Sequence, residues 1–131
     1  MSRLTPNSAI AIQISKLPHL DQPYALEAYI FMLEAVDYAL KKLAKPRHLT
    51  AVELLRDIRE YAYRQFGPMS ALVLEKWQIQ DTLDFGRIIF DLIEVELLRK
   101  HEKDSLEDFK DIREYDDIFQ CRYEFDDIDY V

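Results

Sequence analysis

Seven basic side chains fall between positions 41 and 64: Lys41, Lys42, Lys45, Arg47, Arg56, Arg59 and Arg64. Only Glu53, Asp57 and Glu60 oppose them there, so the stretch carries a charge of +4. Ammonium and guanidinium groups at this density suit the binding of carboxylates or phosphates through charge-assisted hydrogen bonds. The stretch is read as a partner-binding surface, although the same charges also fit a solvated surface with no ligand.

Other chemistries find little support. His19, His48 and His101 lie far apart, and no pair has the spacing of helical metal ligands. Cys121 is the single cysteine, so neither a thiolate zinc site nor an intramolecular disulfide is expected. It falls on the apolar side of an alternating segment with acidic neighbours, which disfavours a reactive thiolate. No serine sits in a nucleophile turn, and two glycines cannot build a phosphate-cradling loop. No catalytic residue, metal or cofactor is expected. His48, between Arg47 and Thr50, could face an anion at a helix start, or pack against its own loop.

The chain has 131 residues and a net charge of −8, unevenly spread. Residues 1–100 hold 13 basic and 13 acidic side chains, whereas residues 101–131 hold 4 and 12. The imbalance therefore lies in a C-terminal arm. Its aromatic residues, Phe109, Tyr115, Phe119, Tyr123, Phe125 and Tyr130, suit anchoring to the helical body or self-association as a homodimer. Such polarity marks an interaction tail or an internal electrostatic clasp.

The elements that must position these charges read mainly as helices. Residues 8–17 fit either helix or alternation. Pro18 and Pro23 bracket a turn. Tyr24–Leu43 is apolar over most of its circumference, with Glu27, Glu34 and Lys41 on one stripe, which predicts a central helix. Thr50 and Glu53 form a capping box for a second helix that stops at Gly67-Pro68. A short third helix runs from about Met69 to Trp77. A fourth, capped by Asp81 or Thr82, runs to about Leu98 and contains Gly86, whose presence implies close packing against another backbone. Ser105 and Asp108 offer a cap for a short turn. Phe119, Cys121, Tyr123 and Phe125 alternate with polar residues as in a strand.

Residues 69–100 resemble the helix-turn-helix and first wing strand of winged-helix proteins. In a nucleic-acid reading, Arg87, Arg99 and Lys100 would join the 41–64 surface, with the acidic arm as an autoinhibitory mimic. Asp84, Asp91 and Glu94, expected to be exposed on the same helix, would repel phosphates, so protein contact is favoured.

Several pairs also resemble a small bacterial family best represented in Planctomycetes and Verrucomicrobia. They include Glu27-Ala28-Tyr29, Arg47-His48, Glu53-Leu54-Leu55, Phe66-Gly67-Pro68, Val73-Leu74-Glu75 with Trp77, Asp84-Phe85-Gly86, Ile89-Phe90 and Asp108-Phe109. The sequence departs from that family at Gln22-Pro23-Tyr24, where an arginine-tyrosine pair is usual, and at Gln78, where glycine is usual. The family carries no established activity, so the resemblance implies a compact bacterial cytosolic domain and supplies no site residues.

The expectation is thus a mainly α single domain of four to five helices. A helical body spans about 8–100, an acidic aromatic arm spans 101–131, and a small β element lies near the C-terminus. With no membrane-length apolar run and no signal-peptide core, the expected address is the cytoplasm. The expected role is non-catalytic: the basic surface receives another protein or the chain's own arm, with nucleic acid disfavoured.

Overall fold

The computed structural model describes residues 6–17, 24–99 and 105–120. The turn at 18–23, Lys100, and the alternating residues beyond Gln120 lie outside the described residues. The described chain is mainly helical, in the order α1 (Pro6–Ile14), α2 (Leu26–Lys41), α3 (Ala51–Phe66), α4 (Ser70–Lys76) and α5 (Thr82–Glu94). Short 3-10 turns occupy Gly67–Met69, Leu106–Phe109 and Asp116–Phe119.

The open choice at 8–17 resolves as helix. Leu17 is buried, and the Gln13 side chain donates to the Val95 carbonyl at 2.8 Å. The broad apolar surface of α2 is used as its sequence suggests. It buries Ala28, Tyr29, Phe31, Met32, Ala35 and Ala39, and packs against α1, α3 and α5. The alanines let neighbouring helices approach, while Phe31 fills the space beside them. The Phe31 ring lies 5.5 Å from Tyr61, 5.9 Å from Phe66 and 5.6 Å from Trp77, centroid to centroid. Such aromatic clusters add about 0.5–1.5 kcal/mol per pair beyond area burial.

The start of α3 is set locally. Thr50 Oγ1 accepts from the Glu53 amide at 3.1 Å, and Glu53 Oε1 accepts from the Thr50 amide at 3.0 Å. Leu54, Leu55, Ile58 and Ala62 then form its buried face. Gly67 ends it at φ +60° and ψ −144°, a conformation open to glycine and little else. Contacts of Lys42 with Asp57, Tyr38 with Tyr61, and Phe31 with Phe66 run in opposite chain directions, so α2 and α3 are antiparallel.

Both α4 and α5 close through the same device. After α4, the Ile79 amide donates to Leu74 O at 2.9 Å and the Gln78 amide to Glu75 O at 3.0 Å, with Gln78 at φ +71°. This Schellman geometry normally takes glycine at the left-handed position. Ile79 and Leu74, both fully buried, seal the turn. After α5, Leu97 and Leu98 amides both reach Leu92 O, and Glu96 adopts φ +65°. The helix therefore ends at Glu94, not near Leu98. The expected wing strand is replaced by this turn, because the turn satisfies the amides of 96–98 within the chain and leaves no extended run for a partner strand. No strand occurs among the described residues. Phe119, the first residue of the expected β segment, belongs to a 3-10 turn.

α5 is more enclosed than α2. Of its thirteen residues, Arg87 and Glu94 alone are exposed. Asp84 and Asp91, expected on the outside, are buried. Tyrosines from the α2 region explain why this is tolerated. Tyr24 donates to Asp84 Oδ1 at 2.5 Å and Tyr29 to Asp91 Oδ2 at 2.8 Å. Asp84 also reciprocates the Asp81 cap and accepts from the Gln80 amide at 2.7 Å. Burial, then the neighbouring carboxylate, holds each of these tyrosine hydroxyls well above its usual pKa, so both remain protonated donors.

The described part of the arm is anchored on this body. Ser105 and Asp108 cap the first arm turn as their spacing suggests. Phe109 is buried with its ring against Gly86, where an added Cβ would meet ring atoms at 2.8 Å. The close approach implied by Gly86 is thus to a side chain, not to another backbone. Thr82 Oγ1 donates to Phe109 O at 2.6 Å, Ile118 is buried, and the Phe119 ring stacks on Phe85 at 5.8 Å.

Candidate interaction surface

Antiparallel packing of α2 and α3 divides the basic stretch into parts with different surroundings. Lys42, Lys45, Arg47 and Arg56 come together around one cleft of about 530 Å³, whose wall includes Ala39, Leu43, Ala44 and Asp57. Asp57 is 1 % exposed. Lys42 Nζ donates to Asp57 Oδ1 at 2.9 Å and also to Glu60 at 2.5 Å. Arg56 reaches both Asp57 oxygens at 3.3 Å. Glu60 and then Asp57 raise the Lys42 pKa, and Lys42 in turn lowers that of Glu60. The buried carboxylate therefore fixes two cations at the mouth. Arg47 forms a two-point pair with Glu53 at 2.9 and 3.0 Å. Arg47, followed by the Thr50 amide, lowers the Glu53 pKa to about 2. Lys45 is exposed and forms no ion pair among the described residues.

The other three basic residues face elsewhere. Lys41 pairs with Asp37 along its own helix at 2.9 Å. Arg64 lies over the Tyr38 ring and reaches its hydroxyl at 3.3 Å. Arg59 meets the arm: its Nε lies 3.6 Å from Asp117 Oδ2, and its guanidinium sits 5.5 Å over the Tyr115 ring. Among the described residues, Arg59 is the member of the basic stretch that pairs with an arm carboxylate.

Of the positions tied to a nucleic-acid reading, Arg87 and Arg99 stand near opposite ends of α5, and Lys100 lies outside the described residues. Arg87 pairs with Asp84 at 2.8 Å in the second turn of α5. Arg99 follows the far end of that helix. With Asp84, Asp91 and most of α5 buried, the helix presents no continuous outer face to a nucleic-acid groove.

A second depression was not foreseen. A groove of about 410 Å³ runs between α2, the α3 start and α5. Leu40, Leu49, Phe90, Ile93 and Leu98 line it, and Arg47, His48 and Arg99 stand along it. Leu40 is 47 % exposed. The available signal was the unusually wide apolar surface of α2, which exceeds what its neighbours cover. Arg47 lines both depressions, so the cationic cleft and the apolar groove adjoin at this residue. His48 therefore borders an apolar groove, and its carbonyl accepts from Arg47 at 3.0 Å.

Among the described residues no group of three His, Cys, Asp or Glu side chains could hold a metal ion, and no helix is long and apolar enough to cross a membrane. Comparison of the chain with protein families, curated proteins and solved structures returned no match.

Proposed function

We propose that this chain is a non-catalytic interaction domain that receives an acidic segment of another protein at the Lys42–Lys45–Arg47–Arg56 cleft. One observation carries the reading: four of the seven basic side chains between 41 and 64 line a single depression. Asp57 and Glu53 hold three of them in place, which reduces the side-chain entropy lost on binding. Lys45 supplies a further cation at the mouth.

The test is fluorescence anisotropy with labelled poly-L-glutamate at rising salt. Binding is expected at low salt, weakening as screening shortens the range of exposed charges to about 8–10 Å. Lys45→Glu is expected to weaken it about five-fold, corresponding to about 1 kcal/mol. Lys41→Glu, whose lysine lies outside the cleft, serves as the control. Equal loss in both variants, or tighter binding of duplex DNA than of polyglutamate, would overturn the reading.

A further inference from the structure

We propose that the apolar groove beside the basic cleft is a docking site for the chain's own residues 121–131. The inference rests on the reading that the Arg47 flank binds acidic segments, and adds the occupant.

Three observations point to this segment. The first is chemistry. Residues 121–131 carry Glu124, Asp126, Asp127 and Asp129 against Arg122, a net −3, interleaved with Tyr123, Phe125, Ile128, Tyr130 and Val131. The groove pairs an apolar lining with Arg47 and Arg99. The second is reach. The described arm ends at Gln120, beside Phe119 on Phe85, near the start of α5. The groove follows α5 from Phe90 past Ile93. From Phe85 to Ile93 a helix rises about 12 Å, whereas eleven extended residues span up to about 36 Å. The third is continuity. Phe109, already seated on Gly86, is also part of the groove wall, so the groove extends an interface the arm has formed.

Tethering makes weak contacts sufficient. A short linker holds its segment at an effective concentration on the order of millimolar. A partner peptide of similar composition would bind only by exceeding that local competition.

The test places a nitroxide at the chain end of the full-length protein, using Cys121→Ser with Val131→Cys. Methyl signals of Leu40, Ile93 and Leu98 are expected to broaden at low salt, and those of Leu72 on α4 to stay sharp. High salt, Arg99→Glu, or Leu40→Asp is expected to restore the groove signals. The Leu40 side is half-exposed, so its substitution spares the core, and Arg99→Glu tests the same contact without touching apolar packing. Uniform broadening, or none, would overturn the inference. So would broadening that arises only between a spin-labelled chain and a separate isotope-labelled chain, which would assign the segment to a second copy. If polyglutamate binds while the groove signals stay sharp, the inference fails alone. If the groove signals broaden and polyglutamate does not bind, the groove occupant stands and the proposed partner site fails.

Discussion

Replacing Gly86 by alanine should reverse sign depending on one distant ring. In an ordinary helix interior the change stabilises by about 0.5–1 kcal/mol, because glycine loses more backbone freedom on folding. Here a Cβ would sit 2.8 Å from Phe109 Cγ and Cδ2 and 2.9 Å from Phe109 Cβ. Favourable carbon contacts lie at about 3.5–4.0 Å. The clash reaches the root of the side chain, so a rotamer change cannot relieve it. The whole 106–109 turn must retreat, against the Thr82 bond to Phe109 O. Overpacking of this kind costs about 1–3 kcal/mol. Gly86→Ala should therefore destabilise by up to about 2 kcal/mol. Phe109→Ala alone should cost about 3–5 kcal/mol, since the ring is buried. In that background the clash is gone, and Gly86→Ala should now stabilise by about 0.5–1 kcal/mol. Urea unfolding of all four proteins by circular dichroism closes the cycle. Stabilisation by Gly86→Ala in the parent, or the same effect in both backgrounds, would refute the account of why glycine stands there.

Gln78→Gly should stabilise by about 1 kcal/mol, because a left-handed residue without a Cβ avoids the cost at φ +71°; thermal unfolding would register it. Glu53 contributes stability that is complete above the ordinary glutamate pKa and drains away as pH falls from there through its lowered value of about 2. The urea midpoint should therefore fall across this acidic window, and Glu53→Gln should flatten that part of the profile. Lys42→Met with Arg56→Met leaves the Asp57 carboxylate buried without these two cations, so denaturant titration should show a loss of about 3–5 kcal/mol, larger than the sum of the single changes.

Much of the helix plan was legible because its signals act over three or four residues. Thr50 with Glu53, Asp81 before its helix, Ser105 with Asp108, and Gly67-Pro68 each satisfy or terminate backbone groups within reach of their own side chains. The short third helix was visible from the Gly67-Pro68 stop before it and not from a cap of its own. Where reading failed, two local options competed. Val95-Glu96-Leu97-Leu98 continues the helical run by composition, yet Glu96 turns left-handed and the Leu92 carbonyl takes the Leu97 and Leu98 amides, so the helix closes early. Gln78 carried its own signal through the departure from glycine, but without its φ that departure had no energetic meaning.

The basic surface was legible as a composition and not as a shape. Sequence places Lys42 and Asp57 far apart; antiparallel α2 and α3 put them 2.9 Å apart and sort Lys41, Arg59 and Arg64 away from the cleft. Asp84 and Asp91 looked exposed because carboxylates usually are, and linear order did not show the tyrosines 60 and 62 residues away that donate to them and help make their burial tolerable. The apolar groove was signalled only by the wide apolar surface of α2, and spacing along one helix does not say which part of that surface its neighbours leave open.

What the sequence determined by itself is therefore the four helices after residue 24, the side-chain caps at Thr50, Asp81 and Ser105, and the division of charge between a neutral body and an acidic arm. These depend on side-chain spacing along one chain, which linear order already contains. The tertiary structure alone decided which cations share a cleft, which carboxylates are shielded, and why a glycine in α5 meets a ring from the arm. Those outcomes depend on which helix faces meet, and packing fixes that through contacts between residues that linear order keeps apart.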